Sequence, residues 1–122
     1  MTSQGSPYTR LDRALATGDP LAARMAAVEC PRLSVADALR IVLAHAYGRD
    51  AHYGRLAARW AAMLTRERPV QLDDLHALVD ALLALGADPT VEPCPVEAFA
   101  QQAHMDDIAA AVRRQRAHRR RA

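Results

Sequence analysis

Helix start and stop signals recur so often along this chain that they leave room only for short helices. Ser6 followed by Pro7 reads as an N-cap with proline at the first helical position, and Gly18 closes that segment. Asp19 and Pro20 repeat the start signal at once, and the second segment runs from Pro20 to Val28 before Pro31. Ser34 opens a third helix, with Asp37 placed to reach back to the cap amide, and Gly48 follows its end at Tyr47. Asp50 is the expected cap of a fourth, longer helix that Pro69 forbids from continuing. A fifth runs from about Asp73 to Leu85 and stops at Gly86.

Each segment carries an apolar stripe of helical period. Tyr8, Leu11 and Leu15 are expected to face inward from the first helix, and Leu21, Met25 and Val28 from the second, the two forming an antiparallel hairpin. In the third, Val35, Leu39, Val42 and Ala46 share a face while Ile41 and Leu43 lie off it. A helix with apolar residues nearly all round is the central one. Tyr53, Leu56, Trp60, Met63 and Leu64 are the expected buried stripe of the fourth helix, with Arg55, Arg59 and Arg66 mainly outside. Leu75, Leu78, Val79 and Leu82 serve the same purpose in the fifth. The stretch 88–95 holds three prolines and reads as the longest loop. Beyond it, Val96, Phe99, Ala100 and Ala103 are out of phase with Met105, Ile108 and Val112, which predicts a break near His104 and a last helix capped by Asp106.

Composition agrees. Aromatic residues are 4% of the chain, and alanine, leucine and arginine, the strong helix formers, predominate. The expected fold is an all-α, compact bundle of five to seven short helices arranged as antiparallel hairpins. Residues 1–6 read as a flexible N-terminus, 7–112 as one helical domain and 113–122 as an arginine-rich helix end or tail. The octets LAARMAAV, from Leu21, and LAARWAAM, from Leu56, share six of eight residues and suggest a two-unit helical repeat.

The chemistry-bearing residues are sparse. No serine sits in a glycine-flanked elbow and no glycine loop is built to cradle phosphate, so the chain is expected not to be an enzyme. Cys30 and Cys94 each precede a proline and are expected to be reduced, and the opening residues lack the apolar core of a signal peptide, which points to the cytoplasm. No cofactor is expected. Asp73, Asp74 and His76 are mirrored by His104, Asp106 and Asp107, a set able to hold a metal if the two segments met, but carboxylates at helix starts are more simply explained by the free amides there. No metal ligand is therefore assigned. His45 is placed at the core edge near a helix C-terminus.

All sixteen basic residues are arginine, so an arginine carries no message here beyond its charge. Before residue 113, ten arginines face fourteen carboxylates, a net −4; the remaining six arginines crowd the end. Arg113, Arg114, Arg116, Arg119, Arg120 and Arg121 are the candidate anion- or partner-binding residues. The expected function is a non-enzymatic protein-protein interaction or scaffold module that meets a protein partner or a second copy of itself. The alternatives are a nucleic-acid-binding accessory protein using that tail, and a metal protein or enzyme using the His/Asp segments.

Overall fold

Each expected start signal before Pro69 is used, though not always by the residue expected. The computed structural model describes residues 6–121, and side chains as far as Arg119. Residues 1–5 of the expected flexible N-terminus, and the side chains of Arg120 and Arg121, lie outside the described residues. Among the described residues the chain forms α1 (Pro7–Thr17), α2 (Pro20–Val28), α3 (Val35–Tyr47), α4 (Tyr53–Glu67), α5 (Leu72–Ala87), α6 (Pro95–Gln102) and α7 (Asp106–Arg121), with no strand. Hydroxyl or carboxylate oxygens of Ser6, Asp19 and Ser34 accept from first-turn amides of α1, α2 and α3. Gly18 closes α1 at φ 75°, a left-handed conformation that costs glycine little.

Two expected caps are displaced. The Asp50 carboxylate accepts from the backbone amide of His52, the N-cap position immediately before α4, and lies 2.9 Å from the His52 ring Nδ1, while the His52 side chain makes no capping bond to the first turn of the helix. Asp106 is the first residue of α7, and the neighbouring Asp107 accepts from the Ile108 amide. The predicted break near His104 is present, with His104 itself at φ 59°.

The core is organised round α3, which packs against α1, α2, α4 and α7. Its residues from Leu39 to Ala46 are all buried. One face, with Val35, Leu39, Val42 and Leu43, enters the main cluster with Trp60, Leu64, Leu78, Leu85, Val96, Ile108 and Val112. Ile41 and Ala44 enter a second, smaller cluster with Leu11, Leu15 and Ala23. The α1–α2 hairpin is closed at its open end by the Arg10–Glu29 pair at 2.8 Å.

Three expectations about facing are corrected. Leu21, Met25 and Val28 are exposed, and α2 turns Ala23, Ala26 and Ala27 to its neighbours. The space between α1, α2 and α3 is filled by Leu11, Leu15 and Ile41, so α2 fits there through its alanines and its larger side chains turn outward. Tyr8 is more than a third exposed, and its hydroxyl donates to the Arg32 carbonyl at 2.8 Å. Val79 lies on the outer side of α5. The two similar octets do not bury equivalent positions: Met25 is exposed, whereas Trp60, which aligns with it, is 3% exposed.

A charge sits inside this apolar frame. Arg40 is 2% exposed, and its Nη1 lies 2.8 Å from Asp12 Oδ1 on α1 and 3.7 Å from Asp37 Oδ1 one turn earlier. Its Nε donates to Gln115 Oε1 on α7, and Gln115 Nε2 donates to the Leu15 carbonyl at the end of α1. Three helices are thus joined by one network. Removing the carboxylate leaves a buried guanidinium short of its main counter-charge, whereas removing the guanidinium frees a half-exposed carboxylate to hydrate. Asp12→Ala is therefore expected to lower stability by about 3 kcal/mol, and Arg40→Met, which keeps the stem volume, by about 1 kcal/mol. Urea denaturation followed by circular dichroism measures both, and the reverse order would contradict this account.

Candidate partner-binding site

The arginines at the end of the chain extend α7 by more than two turns and fold back on neighbouring elements. Arg113 Nη1 lies 3.2 Å from Glu97, and Arg116 Nη1 lies 2.9 Å from Glu97 and 3.7 Å from Glu92. Arg119 donates to the Pro89 carbonyl at 2.9 Å and stacks over the Tyr47 ring at 4.9 Å. Arg114 is 3.8 Å from Asp12. This row fastens α7 to α6 and to the proline-rich loop before it.

A different set of arginines surrounds an apolar groove. Both α2 and α4 pack on α3 and diverge above it, leaving a groove of about 540 Å³. Its floor is Ala38, Ile41 and Val42 of α3; its walls are Ala27 and Val28 of α2 and Leu56, Trp60 and Met63 of α4. Trp60 is held by its indole N–H, which donates to the Val35 carbonyl at 2.9 Å. Arg24, Arg59 and Arg66 stand on the rim. Among the described residues none of the three is ion-paired, and the Nε of Arg24 is buried without a hydrogen-bond partner. Arg59 and Arg66 are expected outside from the sequence, but the groove is not foreseeable there, because it requires α2 to present alanines to the core. The one available signal is the run of alanines at 22, 23, 26 and 27, which lets a helix approach closely on that side.

Among the described residues no three His, Cys, Asp or Glu side chains converge as a metal-holding group. Asp73 and Asp74 occupy the exposed first turn of α5, and Asp107 is bound to Arg68, which holds its carboxyl below the ordinary range. Cys30 and Cys94 are both free thiols, and burial pushes that of Cys30 up.

His45 is fully buried, deeper than the core edge expected for it. Its Nδ1 lies 2.7 Å from the Ile41 carbonyl, which requires the proton on Nδ1, and its Nε2 has no partner. The ring borders a smaller cleft of about 240 Å³ with Arg49, Asp50, Tyr53, Gly54 and Gly86. Gly86 lies so close to Tyr53 that a Cβ there would come within 2.8 Å of its ring. The Tyr53 hydroxyl donates to the Leu82 carbonyl at 2.6 Å.

Burial pushes both Tyr53 and Tyr47 up to about 12 from an ordinary value of 10.0. A phenol whose folded value is raised contributes stability that is fully present below the unfolded value and is lost as pH rises through the folded one. The urea midpoint is therefore expected to hold to about pH 10 and to fall between about pH 10 and 12, in step with tyrosinate absorbance at 295 nm. Replacing Tyr47 and Tyr53 by phenylalanine should flatten that fall.

No helix among the described residues is long and apolar enough to cross a membrane. Compared with family models, with curated proteins and with solved structures, the chain matches none in any of the three.

Proposed function

We propose that this protein is a non-enzymatic interaction module whose α2–α3–α4 groove receives an acidic amphipathic helix from a protein partner. The observation that carries this reading is the pairing of an apolar floor with three rim arginines that lack carboxylate partners among the described residues. Helix-in-groove recognition needs both parts: an apolar trough for anchors one turn apart, and rim charges that orient the incoming helix and exclude wrong ones. The exposed Met25 and Val28 extend the apolar surface along α2. Polar partners are scarce at the rim, so the arginines are better satisfied by the partner's carboxylates than by the protein itself.

The arginine row of α7 is a weaker candidate, because Arg113, Arg116 and Arg119 already engage Glu97, Glu92, Pro89 and Tyr47. A phosphate backbone would use the rim charges of the groove but leave its apolar floor unfilled, which favours a protein ligand over nucleic acid.

Trp60 is the single tryptophan and walls the groove, so its emission reports occupancy. A synthetic helical peptide of leucine, alanine and glutamate, without aromatics, is expected to change Trp60 emission saturably, and the analogue with lysine in place of glutamate to do so far more weakly. Arg59→Glu with Arg66→Glu, at two exposed positions, should weaken binding of the glutamate peptide by about tenfold or more. Arg113→Ala with Arg114→Ala should leave it within about twofold. Equal binding of both peptides, or of neither, would remove the groove as a helix site. Competition by a short DNA duplex that disappears with Arg113 and Arg114 would instead favour the nucleic-acid reading.

A further inference from the structure

The groove has a counterpart on the same chain. On the outer side of α5, Leu72, Val79 and Leu83 are 68%, 43% and 67% exposed and fall on one stripe, at spacings of seven and four residues. Asp73 and Asp80 run along one edge of that stripe; both are exposed, and among the described residues neither is ion-paired. An outward apolar stripe edged by carboxylates is unusual for a helix that has already buried Leu78, Ala81, Leu82 and Leu85 on its other side. It is an acidic amphipathic surface of the kind the groove is suited to receive.

The charges also match in spacing. Arg59 and Arg66 on α4 are seven residues apart, as are Asp73 and Asp80 on α5. Two helical turns separate the members of each pair by about 10.5 Å along the axis, so two ion pairs can form together across a helix laid in the groove. Within one molecule the stripe is exposed and therefore not in its own groove. We propose that the occupant of the groove is α5 of a second copy of this chain, with Leu72, Val79 and Leu83 on the apolar floor and Asp73 and Asp80 against Arg59 and Arg66. This rests on the groove reading above. The two surfaces are unlike, so the association is heterologous, each copy offering one of each.

Charge reversal tests the arrangement directly. Full-length chains are made with Arg59→Glu and Arg66→Glu, and separately with Asp73→Arg and Asp80→Arg, and followed by sedimentation velocity over a concentration series at low and high salt. The wild-type chain is expected to associate with rising concentration, less so at high salt, where the flanking charges are screened. Each reversed chain alone should require at least tenfold higher concentration to associate. An equimolar mixture of the two should regain association near the wild-type level, because the acidic groove of one then meets the basic stripe of the other and the reverse pairing also holds. That regain also shows that both variants are folded, and Leu83→Gln, at an exposed position, is an independent variant expected to weaken association. A wild-type chain that stays monomeric while its groove still binds the glutamate peptide overturns self-docking and leaves the groove reading standing. A monomeric chain that binds no peptide overturns both. Association that the reversals do not change, or that mixing does not regain, assigns assembly to another surface and overturns this proposal.

Discussion

The guanidinium of Arg40 is a full charge placed in the middle of the central helix, and much of the arrangement follows from having to accommodate it. A buried cation without a close counter-charge costs several kcal/mol, so α1 has to run where Asp12 can reach Nη1, and α7 where Gln115 can accept from Nε. Gln115 then turns its amide N–H to the Leu15 carbonyl, which ties the end of α1 to α7 across a separation of 100 residues. Apolar burial supplies most of the favourable energy of such a core but is non-directional. The Arg40 network supplies direction, fixing which sides of α3 are occupied by α1 and α7. With α4 on a further side, α2 is left to lean on α3 through alanines, and the groove is the space that results.

Local chemistry explains why so much of this was legible. Proline, glycine and the short polar caps act within a few residues, so Ser6, Asp19, Ser34 and Gly18 mark their helix ends without help from the rest of the fold. The same holds for the break at His104, where two apolar stripes of different phase cannot belong to one straight helix. The centrality of α3 was also readable, since a helix apolar on every side has nowhere to be except between neighbours. The facing of α2 was not. Periodicity tells which residues share a side, but either its alanine side or its Leu21, Met25 and Val28 side could face in, and the choice was made by the bulk that α1 and α3 had already placed in the gap.

The candidate site was less legible than the fold for a related reason. In a chain whose basic residues are all arginine, a buried network arginine, a row that fastens a helix and a groove rim are written with the same letter. Density along the sequence points to Arg113 and its neighbours, yet a dense row is where i, i+3 and i, i+4 neighbours find shared acids such as Glu97. Arg24, Arg59 and Arg66 are scattered in sequence and brought together only by the packing of α2 and α4 on α3. The depth of His45 is hidden from the sequence on the same principle: proximity to a helix C-terminus is local, whereas its burial depends on the elements that pack round that end of α3.

Sorting the arginines by partner therefore says more about function than counting them. Where a carboxylate or carbonyl lies within reach, as for Arg40, Arg68, Arg113, Arg116 and Arg119, the charge is part of the fold. The three at the groove line an apolar surface instead, and for the exposed Arg59 and Arg66 the stem can cover such a surface while the head stays in water. The exposed carboxylates of α5 are in the mirror-image position, beside Leu72, Val79 and Leu83. Exposed apolar area on either side alone is a solubility cost with no structural return, and in the proposed docking it is the opposite charge flanking each patch that selects the occupant.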